Sequence, residues 1–241
     1  MHCKSRPRRQ YVLGVLIGPF TSATMLAFYK AVMNLRVLTV ALLVVFACPA
    51  LASDRGQDWQ IGPEIRGKNY SEGVPSVMTD SHYGPSFVFP AGPNGQVKYV
   101  TKKTGSLANA QSLTIRYRID AAPRTRFVAN ERPGSPAMLS LYFQRRGDNW
   151  SAKNRYATYR WYSVSDKTLR LAPGEYSITI DFDDEWRAVM GAQSRNNPAF
   201  FDALRNAEHI GFVFGWSRGR GHGVHATGPA RFTLLEFELS Y

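Results

Sequence analysis

The sequence predicts an all-β protein, an antiparallel β-sandwich of the jelly-roll kind with one short connecting helix. Three observations carry this. Short runs rich in Val, Ile, Phe, Tyr and Thr recur through residues 85–241, punctuated by Pro and Gly. Several runs alternate apolar and polar residues with a period of two, as strands buried on one face do. One stretch alone has clear helical spacing, so sheets must supply the layers of the core.

The runs are FVFP (87–90), QVKYVT (96–101), SLTIRYRID (112–120), AMLSLYFQR (137–145), RYATYRWYS (155–163), EYSITID (175–181), HIGFVFG (209–215) and ARFTLLEFELS (230–240). In 112–120, Leu113, Ile115, Tyr117 and Ile119 share one face, and Thr114, Arg116, Arg118 and Asp120 the other. In 137–145, Leu139, Leu141 and Phe143 oppose Met138, Ser140, Tyr142 and Gln144. Tyr176, Ile178 and Ile180 face inward in the sixth run. The last run changes phase, with Phe232 and Leu234 on one face and Leu235, Phe237 and Leu239 on the other, which predicts a β-bulge near Leu234. The helix is PAFFDALRNAEH, 198–209, opened by Pro198. Residues 53–85 read as an irregular lead with short extended pieces and turns at Gly62–Pro63 and Gly73.

Residues 1–52 differ from the rest. They hold six basic residues and no acidic one, and Val37–Ala47 is an uncharged run, apolar but for Thr39, that follows Arg36 and leads to Ala50-Leu51-Ala52. A basic flank, a short apolar stretch and an A-x-A site describe a secretory signal peptide, here 33–52 with Met33 as its natural start. Tyr11–Tyr29 is uncharged and could span a membrane if Met1 is the start instead, and a membrane contact otherwise enters only through the N-terminal segment left uncleaved. Phe46 and Pro49 suit lipid attachment at Cys48 poorly. The expected plan is an export region 1–52 and one domain 53–241, secreted or periplasmic. Both cysteines, Cys3 and Cys48, fall in the export region, so the domain must be held by its core.

The formal net charge of +12 suggests a nucleic-acid partner at first sight. Six of the 30 Lys+Arg and none of the 18 Asp+Glu lie in 1–52, which leaves +6 on the domain, scattered among carboxylates. That pattern and an exported address argue against nucleic acid.

Four groups of residues could carry function. Arg116, Arg118, Tyr142, Gln144, Arg160 and Tyr162 occupy outward positions on middle strands. Were those strands neighbours, rings and planar donors would share one surface, suited to sugars and, through Arg, to carboxylates or sulfates; the plain alternative is a solvated sheet face. Trp150 follows the Gly147-Asp148-Asn149 turn, where it serves either as a sugar platform or as a cover for the end of the sandwich. Asp181, Asp183 and Asp184 are candidate Ca²⁺ ligands at a strand end, without EF-hand spacing. The loop GWSRGRGHGVHATGPA (215–230) brings Trp216, Arg218, Arg220, His222 and His225 together in sequence, without a phosphate-loop pattern. No G-x-S-x-G and no domain cysteine offers a nucleophile.

The succession SLTIRYRID, MLSLYFQRRGDNWSA, EYSITID, HIGFVFG and ARFTLLEFEL resembles galactose-binding-like jelly rolls, the fold of many carbohydrate-binding modules, and secreted bacterial proteins of this size. The likeness spans 85–241 and rests on architecture. It implies sugar binding by end loops or a concave face, and in many members a structural Ca²⁺. Such modules are usually appended to enzymes; the expectation here is a free-standing binder or an untypical enzyme. The expectation is a non-catalytic carbohydrate binder, acidic glycans included, contacting its ligand through Arg116, Tyr142, Gln144, Trp150, Arg160 and Trp216, with no cofactor beyond that Ca²⁺. Two alternatives stand beside it. One is a polysaccharide lyase or hydrolase using His222, His225, Tyr142 and Arg160. The other is a structural envelope protein that binds a protein partner.

Overall fold

A computed structural model describes residues 55–241. The signal peptide 33–52, its start at Met33, Cys48 and cleavage after Ala52 all lie outside the described residues.

Among the described residues sixteen strands, some of only two or three residues, follow one another: β1 Gln60–Gly62, β2 Glu64–Ile65, β3 Lys68–Asn69, β4 Thr79–Ser81, β5 Gly84–Val88, β6 Tyr99–Lys103, β7 Ser112–Ala121, β8 Phe127–Ala129, β9 Met138–Arg145, β10 Arg160–Ser163, β11 Thr168–Arg170, β12 Gly174–Asp181, β13 Trp186–Ala188, β14 Ala207–Gly215, β15 Val224–Ala226 and β16 Ala230–Ser240. A helix, α1 Pro198–Arg205, connects β13 to β14. Among the described residues no helix is long and apolar enough to cross a membrane.

Two antiparallel sheets form the sandwich. The larger runs β1-β6-β14-β9-β10-β13, with β11 also pairing β9; the smaller runs β12-β7-β16-β5-β4. Alternation decides what each strand buries. Leu113, Ile115, Tyr117 and Ile119 of β7 and Leu139, Leu141 and Phe143 of β9 are at most 1% exposed and belong to one core. Rings stitch the sheets together: Phe232 stacks on Phe212, Phe87 and Tyr117 with centroids 5.0–5.2 Å apart. The register of β16 against β7 slips between Leu234 and Glu236, at the expected bulge.

The helix is shorter than 198–209. Asn197 caps it by accepting from the Ala199 N–H at 3.0 Å, and Ala207 already belongs to β14. Phe200, Ala203 and Leu204 face the core, where Phe200 meets Trp161 and Phe143 edge-on. The run 155–163 is not all strand: Asn154–Thr158 is a 3₁₀ turn and only Arg160–Ser163 is extended, with Arg160, Trp161 and Tyr162 paired to β9. The lead does contain short extended pieces. Its β1 joins the edge of the larger sheet beside β6, and its chain goes on to bound the site described next.

Candidate functional site

The candidate site lies on the outer face of the larger sheet. Because β9 and β10 send Leu139, Leu141, Phe143 and Trp161 into the core, the intervening residues Ser140, Tyr142, Gln144, Arg160 and Tyr162 project to the other side. The register sets Tyr142 opposite Tyr162, Gln144 opposite Arg160, and Tyr162 opposite Arg187 of β13. Tyr99 of β6 completes a second apolar cluster with Tyr142, Tyr162 and Val213, against which Trp150 and Val189 pack.

This face is covered rather than open. Tyr142 is fully buried, and Gln144 and Arg160 are 7% and 6% exposed. The connection from β9 to β10 folds back and sets the Trp150 ring edge-on to Tyr99, with centroids 5.2 Å apart. The Gly-rich loop closes another side. Gly221, at φ 76°, lies so near the Tyr99 phenol that any side chain there would collide with it.

A polar network holds the cover down. Asp148 is its hub, with a side chain wholly shielded from solvent. Its Oδ2 lies 2.9 Å from Arg160 Nε and accepts from Gln144 Nε2 at 3.1 Å; its Oδ1 accepts from the Trp150 N–H at 3.1 Å. Arg160 Nη2 donates to the Trp150 carbonyl at 3.2 Å, and the guanidinium sits 4.8 Å from the Trp150 ring centroid. The Tyr142 hydroxyl donates to Gln144 Oε1 at 2.9 Å, and the Tyr99 and Tyr162 hydroxyls share a hydrogen bond of 2.8 Å. Burial raises the Asp148 carboxyl above the ordinary value, and Arg160 with the hydrogen bonds pulls against that rise. Burial also raises the three phenols, Tyr142 and Tyr162 strongly. Trp150, Ala152 and Asn154 have φ of 65°, 55° and 52°, left-handed values that cost non-glycine residues about 1–3 kcal/mol each. The Asp148–Arg160 clamp offsets that cost at Trp150.

Two hollows flank Trp150 and share Pro63, Tyr99 and Trp150 as walls. The first, about 310 Å³, is bounded further by Glu64, Thr101, Gln144, Glu208 and His209. The second, about 250 Å³, is bounded by Tyr70, Lys98, Arg160, Tyr162, Arg220 and His222. The His209 Nδ1 is buried without a hydrogen-bond partner, and burial lowers its pKa.

Of the residues singled out in the sequence, Tyr142, Gln144, Trp150 and Arg160 do come together. Tyr142 is no contact platform, however, because its ring lies beneath the cover; Gln144 and Arg160 reach the hollows while serving the network. Arg116 is elsewhere. It and Arg118 lie on β7 in the smaller sheet, where Arg116 pairs with Glu175 and Glu236 at 3.7 and 3.5 Å on a solvated face. The single surface expected for all six residues is therefore two faces on different sheets. Trp216 is half-buried with its ring 5.0 Å from His222, beside the second hollow but not part of its wall.

The two loop histidines diverge. His222 Nδ1 meets Glu131 Oε2 at 2.8 Å at the rim, whereas His225, in β15, is 7% exposed and holds Asn130 Oδ1 at 3.0 Å. The Asp181–Asp184 segment is a strand-end turn: Asp184 Oδ2 accepts from the Asp181 N–H at 3.1 Å and pairs with Lys167 at 3.2 Å. Among the described residues no three His, Cys, Asp or Glu side chains converge as a metal site would require. Sequence reasoning passed over Tyr99, Lys98, Asp148 and Arg187 as functional residues. Asp148 alone gave a signal, as the Asp of a turn directly before Trp150.

No family model matches the sequence, and no curated protein matches it. Among solved structures, it is similar to a carbohydrate-binding module specific for non-crystalline cellulose, at 11% identity over 77% of this chain and 88% of that one, with a TM-score of 0.40. A xylan-binding module matches at 15% identity over 76% of this chain and 94% of that one, TM-score 0.36. A xylanase from Cellvibrio japonicus in complex with xylopentaose matches at 13% identity over 75% of this chain and 28% of that one, TM-score 0.34.

Proposed function

We propose that the protein binds carbohydrate in the cleft over the outer face of the larger sheet, acidic glycans included, and does not transform it. The observation that carries this reading is Trp150, a half-buried indole held at a left-handed position between two hollows walled by polar and aromatic groups. Sugar rings offer C–H faces to aromatic rings and hydroxyls to fixed donors and acceptors. The first hollow supplies Gln144 and Thr101, the second Arg160 and Arg220. Lys98 and Arg220 give the second hollow a cationic wall suited to an acidic group. Export through residues 33–52 would put this binding outside the cytoplasm, in a secreted or periplasmic protein. The lyase or hydrolase alternative gains no support from His222 and His225, which do not meet, or from the buried Tyr142 phenol.

Titration calorimetry of the full chain with neutral and uronate-bearing oligosaccharides tests this. Trp150→Ala is expected to weaken binding by about tenfold, the scale of one aromatic contact. Arg116→Ala, on the other sheet, is expected to leave binding as it is. Absence of binding to every glycan by the folded protein overturns the reading, as does a Trp150→Ala variant that binds like the parent.

A further inference from the structure

The two hollows differ in the sign of their charge. The charged residues bounding the first are Glu64, Asp148 and Glu208; no Lys or Arg is among them. Asp148 is neutralised by Arg160, which leaves the two glutamates. His209 adds no cation at neutral pH, since burial lowers its pKa. Lys102 and Lys103 line another hollow with Asp58, and Gln60 borders both.

The second hollow is the reverse. Lys98, Arg160 and Arg220 bound it; Arg160 is spent on Asp148, which leaves Lys98 and Arg220 against Glu131, itself tied to His222. Arg220 has no carboxylate partner among the described residues, and its Nε is buried without a hydrogen bond. Arg187, across from Tyr162, also has a buried Nε without a partner, while its Nη2 pairs with Glu185. Burial first, and then the nearby Arg187, lowers the Arg220 pKa. Arg187 lies behind the wall and is paired with Glu185, so the uncompensated cations that bound the hollow are Lys98 and Arg220, which an oxyanion would satisfy.

Resting on the carbohydrate reading above, we infer that the cleft is built for a mixed glycan: a sugar bearing an oxyanion, carboxylate or sulfate, at the Lys98–Arg220 end, joined to an uncharged sugar at the Glu64–Glu208 end. A chain charged on every unit would set an anion against the two glutamates, and a wholly neutral chain would leave Lys98 and Arg220 without a counter-charge. The ligand class is thus a neutral backbone with sparse acidic units rather than a homopolyuronate.

The test compares, on the full chain, xylohexaose, a xylose oligosaccharide of similar length carrying one glucuronate, its counterpart carrying one sulfate ester, and hexagalacturonate. The expected order places a singly charged chain above the neutral one by about tenfold or more, the scale of a hydrogen bond to a charged group, and above hexagalacturonate as well. Which of the uronate and sulfate chains binds more tightly identifies the oxyanion. Added salt is expected to erode the advantage of the charged chain over the neutral one. Arg220→Gln is expected to bring the charged-to-neutral affinity ratio towards one, and Glu208→Gln to strengthen binding of hexagalacturonate. Equal affinity for neutral and singly charged chains, or tightest binding of hexagalacturonate, overturns the inference while leaving the carbohydrate reading intact. Failure to bind any of the four overturns both. Because the salt response is read on the unmodified protein, a misfolded Arg220→Gln variant would not shield the inference.

Discussion

Replacing Asp148 by Asn tests whether the buried ion pair clamps the cover of the cleft. The amide keeps the shape of the carboxylate and still has an oxygen to accept from Trp150 or Gln144. What disappears is the counter-charge to Arg160, whose side chain is only 7% exposed. Breaking a buried pair from one side costs about 3–5 kcal/mol, because the remaining charge stays desolvated. For a domain of this size each kcal/mol lowers Tm by about 2–4 °C, so a fall of about 6–20 °C is expected. Arg160, which also donates to the Trp150 carbonyl, is then held less firmly, so the segment around Trp150, with its φ of 65°, should release first. Urea unfolding measures the stability, and limited trypsin digestion reports the segment through cleavage at Arg146, Lys153 and Arg155. The double variant Asp148→Asn with Arg160→Met removes both charges and is expected to recover to within about 1 kcal/mol of the parent. Arg160→Met alone strands the carboxylate, whose pKa burial already raises; without Arg160 it rises further. The folded state then holds the extra proton, so this variant's deficit shrinks as pH falls through the raised value. A cost below about 1 kcal/mol for Asp148→Asn, the scale of an exposed pair, with trypsin resistance unchanged, would refute the clamp.

Two further substitutions probe the core and the acid side. The Tyr117 hydroxyl is buried between the sheets without a partner, and its pKa is raised by burial first and then by Tyr176; Tyr117→Phe is expected to raise stability by about 1 kcal/mol or more in urea titration, and a loss of stability would mean the hydroxyl is satisfied. Burial lowers the His225 pKa below the ordinary 6.5, so the unfolded chain binds the proton more readily and stability should fall as pH drops below about 6.5; His225→Gln is expected to flatten that decline in urea midpoints taken from about pH 8 to about pH 5, and an unaltered slope would remove His225 as its source.

How much of this was legible in the sequence follows from where burial is one-sided. In β7 and β9 one face meets the core and the other does not, so alternation named Leu113 to Ile119 and Leu139 to Phe143 correctly. The run at 155–163 misled because RYATY alternates by composition while its backbone turns. The strands of two or three residues, β2, β3, β11 and β13 among them, are too short for any period to register. At the site, Tyr142, Gln144, Trp150 and Arg160 were found because outward polar and aromatic positions stand out against core ones. Arg116 carries the same mark, and nothing local says which sheet a strand will join. Nor does β9 itself reveal that its outer face is covered: the cover comes from Pro63, Trp150 and Gly221, far apart in sequence. Asp148 and Arg160, twelve positions apart, meet only once β9 and β10 have paired in the right register.

The strand order also has a temporal side. β16 lies at the centre of the smaller sheet, between β7 and β5, and β14 lies inside the larger one, between β6 and β9. Ser86 of β5 and Arg231 of β16 share a hydrogen bond across 145 positions of chain. As the chain emerges in order, β5 and β7 must wait with bare edges for the last-made strand to bridge them. Pairings this distant close slowly, and exposed edges invite contact with other chains meanwhile. The two halves of the larger sheet, β1-β6 and β9-β10-β13, are likewise joined only when β14 arrives, so the walls that both hollows share, Tyr99 from one half and Trp150 beside the other, meet late in folding.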